Sequence, residues 1–482
     1  MTEIPLALLR GMGEALAHQR RGSLGSALLA YRRLLAQFPD QPDALANLGA
    51  VLKDLGRLEE AEQLLHRALE VQPDHPSALC NLGALCAGEG RLDEALGFLE
   101  RAVALAPGDP IAHSNLGSVL LKLGRLEEAL REDEEALALA PDHAELHQNH
   151  GFTLMRAGRL EEAEAAQLRA LDRNPEAAGA RWNLAYGRLL QGRYLEAWPD
   201  FPSRLQVPGA EANLRDFAQP RWTGEPFQGR TLLVWTEQGF GDTLQFVRYL
   251  PQVKALGGQV LLQTYPSLLG LLRTCEGSDT LLAEGDPLPD FDLQVPLLDL
   301  PAIFGSTLET LPGAVPYLAS PRAPEPGMAA LLDQGAGLRR IGLAWAGNAH
   351  HQDDARRSLE PGLFRDLMKL PGIAWYSLQV GGRPAPEDLN LLPLGPHLRD
   401  FEDTAAAIQA MDLVVSVDTS VLHLAGALGK RAYLLLPYFP DWRWLMQGEA
   451  CPWYPTVRIL RQSSPGDWGD VIQRLITSIE LG

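Results

Sequence analysis

The feature that most constrains this chain is a 34-residue repeat across its first two hundred positions. Four residue types recur at that spacing, each at its own place in the repeat. They are Asn47, Asn81, Asn115, Asn149 and Asn183; Pro39, Pro73, Pro107, Pro141 and Pro175; Ala27, Ala61, Ala95, Ala129, Ala163 and Ala197; and Gly22, Gly56, Gly90, Gly124, Gly158 and Gly192. Chemically unrelated residue types that share one period indicate a chain built from copies of one structural unit.

The repeat predicts a stack of two-helix units, because 34 residues is the period of tetratricopeptide repeats. The alanine lets paired helices approach closely, the glycine ends the first helix in a left-handed conformation, and the proline stops the second helix. We expect six units that begin near residue 8. The sixth unit fades after Ala197, where its terminal proline is missing.

The repeated asparagine has two interpretations. Tetratricopeptide stacks bind protein segments on their concave side, and the asparagines resemble the asparagine ladder of the O-linked N-acetylglucosamine transferases. An amide suits that task because it both donates and accepts hydrogen bonds. In the other interpretation, asparagine before Leu-Gly is simply common in tetratricopeptide sequences.

A second kind of sequence begins after Pro208, where short apolar runs alternate with helical patterns. Strands are predicted at Thr231–Trp235, Gln259–Gln263, Arg340–Trp345, Ala374–Gln379, Leu413–Val417 and Ala432–Leu436. Helices are predicted at residues 243–257, Pro361–Leu370, Thr404–Met411 and Thr419–Leu428. Strands that alternate with helices form parallel sheets with helices on their faces.

The predicted fold is therefore an α solenoid followed by α/β structure. The repeat array occupies residues 1–207, and two Rossmann-like lobes occupy residues 208–320 and 321–482, joined by the proline-rich segment Ala319–Pro326. Two such lobes suit the GT-B arrangement, in which ligands bind in the cleft between them, at the ends of parallel strands.

Composition excludes several classes of partner. A net charge of −19 argues against nucleic acid, which is bound by clustered Lys and Arg. The four cysteines, Cys80, Cys86, Cys275 and Cys451, match no zinc or disulfide pattern and predict reduced thiols. The sequence shows no secretory signal and no membrane span, so a cytoplasmic protein is expected.

The stretch that carries the most chemical information joins a predicted strand to a predicted helix. Asp418, Thr419 and Ser420 stand at that junction, where free backbone amides and the helix dipole can hold a diphosphate. His423 follows one turn later and is expected to face the cleft. The alternative is that Asp418 or Thr419 only caps the helix.

The first lobe has a similar junction. Gly239 and Gly241 permit a tight turn, and Asp242 is either a general base at the edge of the cleft or a helix cap. In the second lobe, the polar loop at residues 347–358 offers Asn348 and Arg357, and a guanidinium pairs well with a departing diphosphate. The histidines and aspartates of this loop match no metal-binding spacing, so no metal is expected.

Several stretches together resemble the bacterial glycosyltransferases that carry tetratricopeptide repeats, whose catalytic part is similar to the heptosyltransferases. The matching stretches are TEQGFGDTLQFVRYLP, DFDLQVPLLDLP, GLAWAGNAHHQDDARRS, SLQVGG, DTAAAIQAMDLVVSVDTSVLHLAGALGK, LPYFPDWRWL and CPWYPTVRILRQ. The resemblance extends from about Trp222 to the C-terminus. It implies an inverting, metal-independent glycosyltransferase with no cofactor, an acceptor-side first lobe and a donor-side second lobe.

The resemblance also implies roles for single residues. Asp242 matches the proposed base of the heptosyltransferases, and Asp418, Thr419 and His423 match their stretch near the donor diphosphate. Gln379 stands where these enzymes often place residues near the donor. The sequence departs from the family at Ser420, which replaces a typical glycine. It also departs at the expected basic residue, which Arg357 is taken to replace. The turn Trp442–Arg443–Trp444 is expected either to stack on a base or cover the cleft, or to form a hydrophobic seam between the lobes.

The expected substrates are a nucleotide-sugar donor and an acceptor hydroxyl on a protein held by the repeats. A glycan acceptor is a further possibility. The alternative function is a protein-interaction scaffold whose transferase-like region is inactive.

Overall fold

The computed structural model describes residues 5–207, 209–210, 215–348 and 354–481. The chain divides into two compact units, Met1–Asn183 and Leu184–Gly482. Helices in consecutive pairs make up the repeat region, and the last helix is a single turn. They are α1 Leu6–Arg20, α2 Leu24–Gln37, α3 Pro42–Asp54, α4 Leu58–Val71, α5 Pro76–Gly88, α6 Leu92–Leu105, α7 Pro110–Lys122, α8 Leu126–Leu139, α9 Ala144–Arg156, α10 Leu160–Arg173, α11 Ala178–Leu190 and α12 Tyr194–Ala197.

The repeated residues have the positions that the sequence predicts. The six repeat glycines lie between paired helices with φ from 71° to 79°, a range that favours glycine over residues with a side chain. The repeated alanines are buried, and each repeated proline follows the second helix of its pair. The prediction of a helical solenoid is therefore confirmed.

One core position of the repeats changes chemistry along the array. In the second and third pairs, Leu65 packs against Gly49 and Leu99 packs against Gly83. The equivalent residue of the fourth pair is Asp133, which lies against Gly117 and is only 2% exposed. A carboxyl group thus occupies a place that its neighbouring repeats fill with leucine.

The buried carboxyl group of Asp133 is poorly compensated. Within the described chain, its Oδ2 has no hydrogen-bond partner. Burial raises its pKa from 3.8 to about 7, and the nearby charges of Glu132 and Glu134 act in the same direction, while a hydrogen bond from Thr153 opposes them. The folded state therefore binds a proton more readily than the unfolded state, and stability falls as the pH rises from about 4 to about 7.

Asp133→Leu should stabilise the chain, because it restores the leucine that the second and third pairs carry and removes a buried charge. The gain should be on the order of 4 kcal/mol at pH 8 and should shrink as the pH falls toward 4. Unfolding midpoints of wild type and variant across this pH range measure the effect. The matched control is Leu99→Asp, which should introduce the same loss of stability and the same pH dependence into the third pair. An equal gain at pH 4 and pH 8 would contradict the explanation.

The second unit contains two parallel sheets. The first lobe has the order β3-β2-β1-β4, and the second lobe has the order β10-β9-β8-β5-β6-β7. The strands are β1 Thr231–Trp235, β2 Gln259–Thr264, β3 Thr280–Ala283, β4 Leu293–Pro296, β5 Arg339–Ala344, β6 Ile373–Ser377, β7 Leu392–Pro393, β8 Leu413–Val417, β9 Ala432–Leu436 and β10 Val457–Arg461. The helices are α13 Phe240–Phe246, α14 Leu250–Ala255, α15 Leu269–Leu272, α16 Leu300–Ile303, α17 Pro326–Gln334, α18 Asp354–Arg357, α19 Phe401–Gln409, α20 Ser420–Ala427 and α21 Trp468–Glu480.

Two helix predictions fail, the first because of a proline and the second because of a glycine. The helix predicted at residues 243–257 is split into α13, a 3-10 turn at Val247–Tyr249 and α14. Pro251 has no amide hydrogen and clashes with the carbonyl four residues earlier, so one continuous helix cannot form. The predicted helix Pro361–Leu370 is instead two 3-10 turns, Pro361–Arg365 and Leu367–Lys369, because Gly362 weakens the helix at its start.

The strand orders locate the places where ligands can bind. In each lobe the chain builds the sheet outward from its first strand in one direction and then crosses to the other side. The order reverses between β1 and β4 in the first lobe and between β5 and β8 in the second. At such a reversal the loops after neighbouring strands part and leave a crevice at the carboxyl ends of the strands.

The end of the repeat region packs inside the second unit. Tyr194, Trp198 and Phe201 form an aromatic cluster with Trp442 and Trp453. The division at Asn183 therefore precedes residue 207, the predicted end of the repeat array. Among the described residues, no helix combines the length and the apolar character needed to cross a membrane.

Candidate functional site between the two sheets

The two order reversals meet where α13, which follows β1, packs against α20, which follows β8. A Cβ atom on Gly241, in the first turn of α13, would lie only 2.7 Å from Cδ2 of His423 on α20. Glycine is therefore required for α13 and α20 to approach this closely. The contact brings the carboxyl end of β1 next to the carboxyl end of β8.

Asp242 has both of its carboxylate oxygens engaged. Oδ2 accepts a hydrogen bond of 2.9 Å from the backbone amide of Gly239, the N-cap residue of α13. Oδ1 pairs with the guanidinium of Arg443, which comes from the second lobe. Asp242 therefore caps α13 through Oδ2 alone, and its role as a general base stays a prediction.

The start of α20 is not capped in the way that the sequence suggested. Thr419 is the N-cap residue, yet among the described residues its side chain makes no cap hydrogen bond to the helix. Its Oγ1 lies 3.0 Å from Ser416 Oγ instead. Capping by Thr419 was therefore the wrong alternative. The backbone amides in the first turn of α20 therefore donate no hydrogen bond to the Thr419 hydroxyl.

Asp418 is a partly buried carboxylate beside this helix start. Burial, together with the charge of Asp441, raises its pKa to about 6, while the positive charges of Arg357 and Arg443 act in the opposite direction. Its Oδ1 lies 3.8 Å from His423 Nε2.

His423 lies in the contact between α13 and α20. The residue is 5% exposed, and its Nδ1 lies 3.0 Å from the hydroxyl of Tyr454. Burial lowers its pKa well below the ordinary value, and the charges of Arg443, Arg248 and Arg357 lower it further. The imidazole is therefore neutral at pH 7 and helps join the lobes, whereas the sequence predicted that it faces an open cleft.

Arg357 lies close to this junction. Its guanidinium packs against Gly347 in the loop after β5, and its Nε lies 3.6 Å from Asp354 Oδ1. Its charge acts on both Asp418 and His423. Asn348 follows Gly347 directly, in the same strand-end loop.

The possibility of a metal in this loop was raised by His350, His351, Asp353 and Asp354. The first three lie outside the described residues, and Asp354 is the first residue of α18. Across the described part of the chain, no group of three His, Cys, Asp or Glu side chains is arranged to hold a metal ion.

Gln379 holds two loops of the second lobe together. Its Oε1 accepts hydrogen bonds from the backbone amides of Trp345 at 3.1 Å and Ala346 at 3.0 Å, and its Nε2 donates to the Ala346 carbonyl at 3.0 Å. The same side chain lines a pocket of about 420 Å³, together with Trp345, Arg383, Leu389 and Gly395. Its predicted place near a donor is untested, and its observed contacts are structural.

Sequence reasoning missed the role of Arg443. Its guanidinium donates to Asp242, to Gln245 Oε1 at 2.8 Å and to Asp441 Oδ1 at 2.9 Å, and the residue is 7% exposed. Trp442 and Trp444 on either side are 2% and 0% exposed, so this turn forms the seam between the lobes. The sequence did contain a signal for this role: Asp441 and Arg443 stand two residues apart among aromatic residues. Charged residues are rarely buried unless they are paired, so this spacing indicates a buried ion pair.

The asparagines of the repeats make contacts between consecutive pairs. Asn115 Nδ2 donates to Cys80 Sγ at 3.3 Å, and Asn149 Nδ2 donates to Ser114 Oγ at 3.1 Å. Each partner belongs to the preceding pair of helices. The equivalent residues Asn47, Asn81 and Asn183 are half-buried. At least two asparagines therefore tie neighbouring repeats together, and acceptor binding by the ladder stays a prediction.

Comparison with known families agrees with the architecture of the helical part. Family models described as tetratricopeptide repeat match residues 40–107, residues 87–132, and residues 12–65 together with 150–201. The helix pairs are tetratricopeptide repeats.

Similar proteins cover parts of the chain. Protein FlbA of Caulobacter vibrioides is 26% identical over 319 residues, which make up 60% of this chain and 53% of FlbA, so the chain spans about half of that relative. The tetratricopeptide protein TTC0263 of Thermus thermophilus is 24% identical over 38% of this chain and 99% of its own, with a TM-score of 0.34. MamA of Desulfovibrio magneticus is 24% identical over 36% of this chain and 99% of its own, with a TM-score of 0.30.

Gly241→Ala should destabilise the second unit, because the new methyl group would overlap the His423 ring. Forcing an extra methyl into a packed contact costs about 1–3 kcal/mol. The matched control is Gly97→Ala in α6, where a Cβ meets nothing within 4 Å, and there we expect a gain of about 0.5–1 kcal/mol. Urea unfolding of both variants measures the difference, and equal midpoints would contradict the close contact between α13 and α20.

Proposed function

We propose that this chain is a glycosyltransferase that moves a sugar from a nucleotide-diphosphate donor to an acceptor hydroxyl. The observation that carries the proposal is the meeting of two strand-order reversals at the Gly241–His423 contact. Parallel sheets bind ligands at such reversals, so two facing reversals offer adjoining sites for two substrates. A GT-B transferase would bind its donor and its acceptor at two such adjoining sites.

The donor diphosphate would bind at the start of α20. The first amides of that helix point toward such a ligand, and the Ser420 hydroxyl adds a donor. The charge of Arg357 already acts on Asp418 at this place. Asn348 and the pocket beside Gln379 would extend the donor site along the carboxyl edge of the second sheet.

The chemistry follows from the carboxylate on the opposite side. Asp242 would take the proton of the acceptor hydroxyl as its oxygen attacks the anomeric carbon. The bond between that carbon and the diphosphate oxygen breaks, and its electron pair leaves with the diphosphate. Arg357 and the amides of α20 would stabilise the departing charge, in an inverting reaction without a metal.

The acceptor is proposed to be a protein, because tetratricopeptide arrays present extended binding surfaces for protein segments. If the acceptor is a glycan, the repeats would serve only to recruit the enzyme to a partner.

The proposed location is the cytoplasm. All four cysteines lie in described parts of the chain and are unpaired thiols, which suits the reducing environment of the cytoplasm.

A scaffold without activity is the second candidate, and one observation favours it. Both oxygens of Asp242 are engaged, by Gly239 and by Arg443, so the proposed base is occupied within the protein itself. A protein of this kind would use its repeats for binding and its α/β unit for structure.

A thermal-shift screen against UDP, GDP, ADP, CMP and their common sugar conjugates tests the proposal. We expect one nucleotide family to raise the unfolding midpoint, because a ligand at about 100 times its Kd adds about 2.7 kcal/mol of stability. Asp242→Asn should retain this stabilisation and lose sugar transfer. A flat response to the whole panel, repeated by calorimetry, would favour the scaffold.

A pair of arginine variants locates the donor site. Arg357→Gln should weaken binding of the active nucleotide by about tenfold, since a charge-assisted hydrogen bond contributes about 1.5–3 kcal/mol. Arg365→Gln is the control, because Arg365 pairs with Asp388 on the surface. Equal affinities of the two variants would remove Arg357 from the donor site.

A further inference from the structure

We propose that Arg443 is a latch on Asp242 that a diphosphate opens. In the absence of donor, the guanidinium holds the Asp242 carboxylate; when a diphosphate binds at the start of α20, the guanidinium pairs with it and releases Asp242. The inference rests on the proposed function and adds an order of events to the reaction: the donor binds first, and only then is Asp242 free to act as the base.

The contacts of Arg443 cross between the lobes. Asp242 and Gln245 lie on α13 of the first lobe, whereas Arg443 and Asp441 belong to the turn after β9 in the second lobe. The guanidinium is therefore bonded on both sides of the seam. Movement of this one side chain changes how the lobes are joined.

The backbone on both sides of this ion pair is held in unusual conformations. Leu445 has φ 57° and ψ 169°, and Gln238 has φ 62°. They are the two residues other than glycine with positive φ in the described chain, and each lies within four residues of Asp242 or Arg443. Arg461 fixes the turn by donating to the carbonyls of Trp444 at 2.9 Å and Leu445 at 2.8 Å. Such strain persists only where the surrounding structure imposes it, often at functional sites.

The carboxylates around Arg443 set up a competition for its guanidinium. Asp242, Asp441 and Asp418 surround the seam, and the charges of Arg357 and Arg443 both act on Asp418. These acidic groups already engage the two arginines. An incoming diphosphate at the start of α20 carries further negative charge, so it competes with these carboxylates for the guanidinium of Arg443.

The release of Asp242 has a direct consequence for the proposed reaction. While Arg443 donates to Asp242 Oδ1, that oxygen is occupied and is not available to an acceptor hydroxyl. Once Arg443 has moved, Asp242 Oδ1 is open to accept the proton of the acceptor hydroxyl. Arg443 keeps its own proton throughout and offsets the charge that develops on the leaving diphosphate.

Calorimetric titration with inorganic pyrophosphate tests the latch without any need for turnover. Asp242→Asn removes the carboxylate that competes for Arg443, so pyrophosphate should bind at least tenfold more tightly than to wild type. Arg443→Gln should weaken pyrophosphate binding at least tenfold. The affinity of Arg443→Lys should lie between those of wild type and Arg443→Gln. Asp388→Asn removes one negative charge from a surface pair and should leave the affinity unchanged.

Wild-type protein supplies a second measurement that does not depend on the folding of a variant. Trp442 and Trp444 flank Arg443, so pyrophosphate should shift the tryptophan emission, and sodium chloride at the same ionic strength should not. Unchanged emission in wild type, or an Asp242→Asn affinity equal to that of wild type, would overturn the latch.

The two proposals fail separately. Binding and transfer of a nucleotide sugar, with pyrophosphate affinity unaffected by Asp242→Asn, would leave the transferase standing and remove the latch. Tighter pyrophosphate binding by Asp242→Asn, with no nucleotide sugar bound or transferred, would support the latch as an anion switch and remove the transferase.

Discussion

The close approach of α13 and α20 at Gly241 is the contact on which the rest of the second unit depends. Because residue 241 has no side chain, the ring of His423 can lie against the first turn of α13. The carboxyl ends of β1 and β8 then meet, and with them the two places where the sheets can bind ligands. Asp242, Asp418 and Arg443 are close together as a result of this one approach. Neither lobe alone supplies all three residues, so the chemistry of the site belongs to the interface.

Much of the fold was predictable because its strongest signals are local. Thr231–Trp235, Leu413–Val417 and Ala432–Leu436 begin and end as the sequence predicts, since strands buried on both faces read as continuous apolar runs. Turn glycines are equally local, because their left-handed conformation depends on immediate neighbours. The helix split at Pro251 shows the limit of helical periodicity as a guide. An apolar pattern continues through a residue that the backbone cannot accommodate.

The site was less predictable, because its main interactions join distant parts of the chain. Asp242 was identified from its turn, but its partner Arg443 lies 201 residues later. No spacing rule connects two such positions. The environment of His423 was mispredicted for the same reason. Its neighbours Gly241 and Tyr454 come from other parts of the chain, and they bury a residue that was expected to face the cleft. Residue types indicated the chemistry, whereas the packing decided which groups are accessible.

The aromatic cluster of Tyr194, Trp198, Phe201, Trp442 and Trp453 has a consequence for the modularity of this protein. The last helical pair resembles its predecessors in sequence, yet its side chains are part of the core of the α/β unit. The carbonyl of Leu190 accepts a hydrogen bond from the amide of Met446, which lies three residues after Arg443. The repeats and the sheets therefore do not behave as exchangeable parts. A truncation that keeps the α/β unit intact must therefore retain α11, because removal of the residues up to 207 would expose Trp442 and Trp453 of this cluster.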